Sequence, residues 1–306
     1  MTSNSISIVG TGKLGSSLAI ALKSKGFEIS GLYSIGGDSQ KKLCRQLGIC
    51  LNNDLIESVS GSNIIFITVP DSQIANVSRQ ISQSANVESI KNKYVFHMSG
   101  ALTSDELADL ERLGALTGSL HPIQTFAGTS DPEIFEGVYF GFEGSCDIYP
   151  VAKDIVDALN GKIVKIEKEN KPIYHACACI ISNYTVTLSH MVEKLLRVMK
   201  VENEININAF MPLLKGTVQN IEKLGSVKSL TGPISRGDIN VIKGHIDALN
   251  DRCGELEREL YNILGIATAD LALEKGSIGE KTRLSIHSLL NDRPELRKGD
   301  DSHRNR

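Results

Sequence analysis

Two periodicities of apolar and polar residues alternate along the first half of the chain. Short apolar runs, many of them β-branched, predict strands at residues 6–9, 27–33, 63–69, 94–98, 138–142 and 162–166. Between them, apolar residues recur at helical spacing and predict helices at residues 13–25, 40–47, 74–81, 105–113 and 151–160. This regular alternation of strand and helix is typical of a parallel, doubly wound α/β sheet of Rossmann type.

Only helical periodicity remains after about residue 167. A helix is predicted over residues 172–200, and we expect it to be buried on most sides because its first two thirds are apolar or small almost all round. Shorter helices are predicted at residues 205–224, 239–250, 255–264 and 266–274. The predicted organisation is a Rossmann domain over residues 1–166, an all-helical substrate and homodimerisation domain over 167–290, and a polar, disordered tail over 291–306.

Composition and charge narrow the class of protein. The chain has 33 Lys and Arg against 36 Asp and Glu, and its net charge of −3 argues against a general nucleic-acid binder, which needs a basic face. The apolar run at residues 176–181 is far shorter than the roughly 20 residues that span a bilayer. The first residues lack signal-peptide segments, and the six cysteines are scattered. We therefore expect a cytoplasmic protein with no membrane, nucleic-acid or metal partner.

Gly10, Gly12 and Gly15 lie between the first predicted strand and the first predicted helix. In this context the first glycine permits a tight turn, the second lets the backbone approach a pyrophosphate, and the third lets strand and helix pack closely. The N-terminus of the helix then faces the phosphates with its free N–H groups. The predicted cofactor-binding residues, in this loop and at the ends of neighbouring strands, are Gly10, Thr11, Gly12, Lys13, Leu14, Gly15, Ser34, Val69, Pro70, Ser99 and Gly100.

The end of the second predicted strand favours NADP(H) over NAD(H). An acidic residue there would bind the ribose 2′-hydroxyl and repel a 2′-phosphate, but the strand ends at Ser34 and the nearest acid is Asp38, four residues further on. Ser39, Lys41 and Lys42 follow, and they are suitable partners for a phosphate. The alternative is that the two lysines form the solvated face of a helix.

Two histidines and an asparagine are the predicted catalytic residues. His121 precedes a proline, so its segment is extended. His175 and Asn183 lie on one slowly turning stripe of the long predicted helix. Hydride transfer to a carbonyl carbon makes the oxygen negative, and a donor must then stabilise or protonate it. His121 and His175 are candidates for that donor because histidine titrates near neutral pH, and Asn183 would hydrogen-bond the carbonyl or hydroxyl.

A loop rich in glycine and proline carries the predicted carboxylate-binding residue. Arg236 offers the planar, bidentate donor that a 2-oxo acid requires. Asp238 either holds Arg236 in place or caps the helix that follows. Together with Gln124 and Thr231, these residues complete the predicted substrate-binding set.

Five motifs of this chain resemble those of a known family. They are the glycine fingerprint, HMSGAL at 97–102, GSLHPIQTF at 118–126, YHACACIISN at 174–183 and LTGPISRGD at 230–238. They resemble Rossmann-like proteins with a C-terminal domain of the DUF2520 type, relatives of the 6-phosphogluconate-dehydrogenase-like superfamily. Some members act as an alternative class of ketopantoate reductase in pantothenate biosynthesis, and the resemblance implies that activity here.

The resemblance also exposes one departure from the superfamily pattern. Its reductases often carry a Lys and an Asn four residues apart on the first helix of the second domain, where the Lys donates or orients a proton. If Asn183 corresponds to that Asn, the Lys position holds Cys179, and Lys171 is the substitute that the sequence offers.

Three readings of function follow from the sequence. The first is an NADPH-dependent reductase of a small 2-oxo acid, with ketopantoate (2-dehydropantoate) as the preferred substrate. The second is an imine reductase of the pyrroline-5-carboxylate reductase type, which also needs a carboxylate-binding residue. The third is a catalytically silent dinucleotide-binding protein, which Cys179 at the usual Lys position keeps open.

Overall fold

The computed structural model describes residues 5–35, 37–50, 54–85, 87–128 and 131–292. By internal contacts the chain divides into two compact units, one ending at Asn183 and the other beginning at Tyr184. None of the helices among the described residues has both the length and the apolarity needed to cross a membrane.

One seven-stranded sheet lies in the first unit. Its strands are β1 (Ser5–Val9), β2 (Glu28–Tyr33), β3 (Ile64–Ile67), β4 (Tyr94–His97), β5 (Leu116–Pro122), β6 (Tyr139–Gly144) and β7 (Lys162–Lys165). They are ordered β2-β1-β3-β4-β5-β6-β7. The order reverses direction at β1, so the carboxyl ends of β1 and β3 form the switch point where ligands of such sheets bind. The predicted α/β fold with a following helical region is thereby confirmed.

The antiparallel pairing of β5 with β6 is the exception in an otherwise parallel sheet. A parallel neighbour would need a crossover connection, usually a helix. The described residues between β5 and β6 form only turns and irregular structure, so the chain reverses and β6 runs back along β5. The prediction of a wholly parallel sheet is wrong at this one pair.

Helices cover both faces of the sheet. The helices of this unit are α1 (Lys13–Ser24), α2 (Asp38–Leu47), α3 (Leu55–Ser60), α4 (Asp71–Ser84), α5 (Val87–Ile90), α6 (Ala108–Glu111), α7 (Tyr149–Ala158) and α8 (Lys171–Ile181), and α1 to α7 contribute to the two cores that flank the sheet. Successive side chains of β3 enter opposite cores: Ile64 and Phe66 pack with α1, α2 and α7, and Ile65 and Ile67 pack with α3 to α6. Burial on both faces explains why this strand is an uninterrupted apolar run.

The second unit is helical throughout its described part. Its helices are α9, which begins one residue earlier (Asn183–Met199), α10 (Met211–Leu224), α11 (Ser226–Ser229), α12 (Pro233–Arg236), α13 (Ile239–Arg252), α14 (Glu255–Glu274) and α15 (Glu280–Asn291). Its core includes Ile242, Ala269, Ile286 and Leu290. The tail predicted for residues 291–306 lies, beyond residue 292, outside the described residues.

Gly265 explains why α14 is one helix where two were predicted. A Cβ at this position would lie 2.8 Å from Cδ1 of Leu290, so the glycine permits the close approach of α15. The packing between these helices offsets the cost of a glycine inside a helix.

The segment predicted as one long, buried helix differs from that prediction in two ways. The helix is divided at Ser182, which lies between α8 and α9. In α8 only Lys171 is buried, while Ile173 is 69% and Ile181 is 70% exposed. The prediction of burial is therefore wrong for α8, because an apolar composition on all sides of a helix does not by itself place other elements of the chain against it.

Candidate active site

The glycine loop closes tightly over the carboxyl ends of β1 and β3. Gly10 has a φ of +107°, and a Cβ on it would lie 2.8 Å from the backbone of Thr68. A Cβ on Gly15 would lie 2.0 Å from the carbonyl oxygen of Gly10. Gly12, in contrast, has nothing within 4 Å of its Cβ position and precedes α1 without a side-chain cap. Two glycines therefore serve packing, and the third leaves open space at the helix N-terminus, where a pyrophosphate binds in this motif.

A cleft of about 320 Å³ lies beside this loop, between α1 and α2. It is lined by Thr11, Gly12, Lys13, Ser16, Ile20, Ser39, Lys42, Leu43, Gln46 and Gly128. The hydroxyls of Thr11 and Ser39 are hydrogen-bonded at 2.7 Å. Of the two lysines predicted as phosphate partners, Lys42 lines the cleft, and Lys41 is exposed on the same helix.

The other predicted cofactor residues have mixed surroundings. Leu14 packs against the core under the sheet, and Ser34 is half-buried just after β2. Val69 and Pro70 connect β3 to α4. Ser99 and Gly100 are buried after β4. Their binding roles stay predictions.

Ser99 is the centre of the hydrogen bonds that shape the loop after β4. Its hydroxyl donates to Oδ2 of Asp71 at 2.8 Å and accepts the backbone N–H groups of Ala101 and Leu102. Its carbonyl accepts hydrogen bonds from the Ser119 hydroxyl at 3.0 Å and from Nζ of Lys171 at 2.9 Å. Asp71 is the first residue of α4, so this hydrogen bond joins the start of α4 to the loop after β4.

His97 fixes the same loop and was not singled out from the sequence. Nδ1 accepts the N–H of Ser99 at 3.2 Å, so Nε2 carries the proton and donates to the carbonyl of Thr103 at 2.9 Å. Burial lowers the pKa of His97 to about 4. The neutral imidazole therefore bridges the two ends of the loop.

Lys171 is buried at the start of α8. Besides the Ser99 carbonyl, its Nζ donates to the Ser119 hydroxyl. Burial lowers the pKa of Lys171 to about 8, against the opposing effect of the Glu143 and Asp71 carboxylates. The ammonium joins the loop after β4 and the middle of β5 to the first turn of α8. Its position in the sequence, at a helix start, gave no sign of this burial.

The two predicted catalytic histidines face each other. The ring centroids of His121 and His175 are 6.1 Å apart, with an interplanar angle of 77°. Gly100 makes room for both, because a Cβ there would lie 2.7 Å from Cδ2 of His175 and 2.9 Å from Nε2 of His121. Burial, followed by the charge of Lys171, lowers the pKa of His121 to about 4.

A cleft of about 340 Å³ opens at this histidine pair. It is lined by His121, Ile123, Gln124, Thr125, His175, Ala178, Cys179, Ile181, Ser182 and Asn183. The structure thus brings together all three predicted catalytic residues and Gln124. The Sγ of Cys179 lies 3.9 and 4.0 Å from the two ring nitrogens of His175. Within the described residues, no three His, Cys, Asp or Glu side chains are grouped so as to hold a metal ion.

The remaining predicted substrate residues belong to the second unit. Arg236 ends α12, and its Nε donates to Oδ2 of Asp238 at 2.9 Å. Asp238 precedes α13 without capping it through its side chain, so of the two alternatives for this residue the structure has the contact with Arg236. Thr231 is exposed in the loop before α12. Their roles in binding a carboxylate stay predictions.

A tight glycine turn at the switch point of a parallel sheet defines the class: a Rossmann-type domain of the dinucleotide-binding group. Residues 2–122 match the Rossmann-like domain family. Residues 138–268 match the domain of unknown function DUF2520. The chain therefore belongs to the proteins that join a Rossmann-like domain to a DUF2520 domain, and the family resemblance of its motifs is confirmed.

Solved structures share the fold over most of the chain. A candidate NADP oxidoreductase, BF3122 from Bacteroides fragilis, is 24% identical, with a TM-score of 0.72 over 87% of this chain and 98% of its own. TM1727 from Thermotoga maritima is 26% identical, with a TM-score of 0.64 over the same shares. An imine reductase from Pseudomonas sp. is 16% identical, with a TM-score of 0.58 over 91% of this chain and 100% of its own. Among curated proteins, none matches this sequence.

Proposed function

We propose that this protein is an NADPH-dependent reductase of a small 2-oxo acid, with 2-dehydropantoate as the preferred substrate and pantoate as the product. The observation that carries the proposal is the pair of imidazoles, His121 and His175, in a cleft at the carboxyl edge of a sheet that also bears the glycine loop. Reduction of ketopantoate is a step of pantothenate biosynthesis, and we place the protein there, in the cytoplasm. Its six cysteines are free, as expected in a reducing compartment.

The residues present fit NADP(H). Gly10 and Gly15 form a turn that a Cβ would fill, and Gly12 leaves space at the N-terminus of α1. Ser39 and Lys42 line the neighbouring cleft and would hold the 2′-phosphate. When bound, the reduced nicotinamide supplies the hydride. The name of BF3122 as a candidate NADP oxidoreductase supports the same choice.

The chain's own residues act on the oxygen of the substrate. His121 and His175 would donate hydrogen bonds to the carbonyl oxygen as it becomes negative. Asn183, in the same cleft, would bind the carbonyl or the product hydroxyl. Lys171 is a positioning residue, since its Nζ holds the Ser99 carbonyl and the Ser119 hydroxyl.

Recognition of the carboxylate is assigned to the loop of the second unit. Arg236 would bind the carboxylate of the substrate through its guanidinium, with Asp238 holding the guanidinium in orientation. Gln124 and Thr231 would supply further hydrogen bonds.

A homodimer through the helical domain accompanies this proposal. α10 has no buried residue, and three of its apolar side chains are largely exposed: Leu213 is 70%, Val218 is 56% and Leu224 is 54% exposed. A second copy covering this helix would remove that apolar surface from water. Light scattering on the purified protein distinguishes a dimer from a monomer.

Two alternatives have specific support. The similarity to the Pseudomonas imine reductase favours imine reduction on the same scaffold. Cys179 lines the cleft, and if Asn183 corresponds to the Asn of the superfamily pattern, Cys179 stands at the Lys position, which favours a silent dinucleotide-binding protein.

The deciding experiment follows NADPH oxidation by the purified protein with ketopantoate, with NADH in parallel. Turnover with a preference for NADPH supports the reductase. Binding of NADPH without turnover of ketopantoate removes that substrate, and a panel of imines and other 2-oxo acids then separates the imine reductase from the silent protein. Failure to bind either cofactor contradicts all three readings.

A further inference from the structure

Tyr174 contacts His121 closely, and the proposed mechanism gives it no role. Its hydroxyl lies 2.8 Å from Nδ1 of His121, and the two rings meet edge-on, with centroids 5.6 Å apart at 90°. The residue precedes His175 on α8, so the same turn of helix supplies one histidine and the partner of the other.

Gly141 creates the space for this phenol. It pairs with His121 across the antiparallel strands β5 and β6. A Cβ on Gly141 would lie 2.5 Å from the hydroxyl oxygen of Tyr174. The contact between Tyr174 and His121 is therefore built into the strand pair.

The direction of the hydrogen bond follows from the protons available. Burial raises the pKa of Tyr174 to about 12, against a hydrogen bond from the Gly141 backbone to the phenol oxygen. Burial also lowers the pKa of His121 to about 4. At neutral pH the phenol therefore keeps its proton, and the imidazole carries only one.

The phenol proton has two acceptors within reach. Nδ1 of His121 is at 2.8 Å, whereas the His121 carbonyl is at 3.4 Å. The shorter contact receives the proton, and with Nδ1 accepting, the single imidazole proton resides on Nε2. Nε2 lies on the side of the ring that approaches Gly100 and His175.

We propose that Tyr174 is a positioning residue whose hydroxyl donates to Nδ1 of His121 and so holds the Nε2–H tautomer toward the cleft. This inference rests on the proposed function and deepens it, because the tautomer determines which substrate atom can bind next to Nε2 of His121. A neutral N–H donor fits a lone pair, such as that of a carbonyl oxygen. The N–H of a protonated imine would instead need an acceptor, so the tautomer favours 2-oxo acids over imines.

Nitrogen NMR of histidine-labelled full-length protein with NADP⁺ tests the tautomer without using activity. A His121→Gln variant identifies the His121 signals. We expect Nδ1 in the unprotonated range and Nε2 in the protonated range. In Tyr174→Phe the two nitrogens should move toward an average of both tautomers, because the phenol no longer selects one.

Two further variants sharpen the test. Gly141→Ala pushes the phenol away and should change the His121 signals as Tyr174→Phe does. Tyr139→Phe, an exposed tyrosine on the same strand as Gly141, should leave them unchanged. Protonated Nδ1 of His121 in the unsubstituted protein, or identical signals in Tyr174→Phe, overturns the proposal.

Kinetics then separate this inference from the proposed function. With ketopantoate, Tyr174→Phe should lower kcat about 10- to 100-fold while KM and NADPH affinity stay near their original values, since general acid–base groups contribute at least that much. Absence of turnover in the unsubstituted protein contradicts the proposed function alone, and the NMR result still decides the tautomer. An unchanged kcat in Tyr174→Phe contradicts the role of Tyr174.

Discussion

Lys171 shows how much a single buried charge determines at the residue scale. A lysine at the start of a helix normally reaches solvent, so nothing in the local sequence indicates that its Nζ turns inward to the Ser99 carbonyl and the Ser119 hydroxyl. These partners are 72 and 52 residues away in the chain. Only the folded sheet brings them together.

Replacement of Lys171 by Met should raise the pKa of His121 from about 4 toward its ordinary value. The positive charge of Lys171 is, after burial, the main cause that lowers it. An NMR titration of His121 measures the change. Lys168→Met is the matched control, since Lys168 is exposed and pairs with Asp105. An unchanged His121 titration in Lys171→Met would contradict the charge argument.

Replacement of Arg236 by Ala should raise KM for the 2-oxo acid about 10- to 100-fold with little change in kcat. A charged hydrogen bond contributes about 1.5–3 kcal/mol, which corresponds to that range. Its side chain is 63% exposed, so the melting temperature should not change. Arg79→Ala is the control, because Arg79 is 60% exposed and also faces an aspartate. Unaltered steady-state kinetics remove Arg236 from the proposed site.

At the scale of elements, different glycines of the loop serve packing and ligand binding. Gly15→Ala should lower the melting temperature and abolish NADPH binding, because its Cβ would lie 2.0 Å from the Gly10 carbonyl. Gly12→Ala has free space around its Cβ position. It should keep the melting temperature and weaken NADPH binding about tenfold or more, since the methyl group occupies the pyrophosphate's approach.

Calorimetric melting and a binding titration measure both glycine variants. Gly61→Ala, another position with nothing within 4 Å of its Cβ, should change neither quantity. If Gly12→Ala binds NADPH as tightly as the original protein, the phosphate does not lie against this loop.

The elements that the sequence predicts well are those whose apolar residues follow an uninterrupted strand or helix pattern. β3 is a continuous apolar run, β1 has Ile6, Ile8 and Val9 in a short β-branched stretch, and α1 has apolar residues at helical spacing. β5 was predicted only as an extended segment, because Gly118, Ser119 and His121 interrupt the apolar pattern of a buried strand. The direction of β6 follows from its connection to β5, which lacks a crossover helix. The periodicity of apolar residues predicts a strand there but not its direction.

The sequence indicated several residues of the candidate site but not the hydrogen bonds and contacts that hold them in place. His121, His175 and Asn183 were identified, and they line one cleft. His97 and Tyr174 were missed as members, and Lys171 was named only as a substitute proton donor, because the partners of all three are set by tertiary contacts. An aromatic or lysine residue in a helical sequence has the same appearance whether it faces solvent or a catalytic group.

At the scale of the whole molecule, stability should fall in mild acid. His97 has a pKa of about 4 in the folded state against 6.5 when unfolded. Between these values the unfolded chain binds more protons, so the free energy of unfolding decreases as pH falls from 6.5 to 4. The loss from His97 alone is at most about 3 kcal/mol.

Urea unfolding at several pH values measures this loss. The chain has no tryptophan, so circular dichroism is the suitable signal. A His97→Gln variant cannot titrate, and its unfolding free energy should decline less steeply between pH 6.5 and 4, although it starts lower. A slope equal to that of the original protein would assign the acid sensitivity to other groups.

In the first unit, the glycine turn and the cleft at the histidine pair are built from different residues, and this separation has a consequence for how such proteins diversify. The turn that fits a cofactor is closed by residues 10–15 and Thr68, whereas Ile123, Ala178 and Ile181 border the histidine cleft without being buried in the core. Mutations at these three positions reshape the cleft at little cost in folding. A lineage can therefore drift from one substrate to another through its cleft wall, while selection for the coenzyme keeps the glycine turn constant.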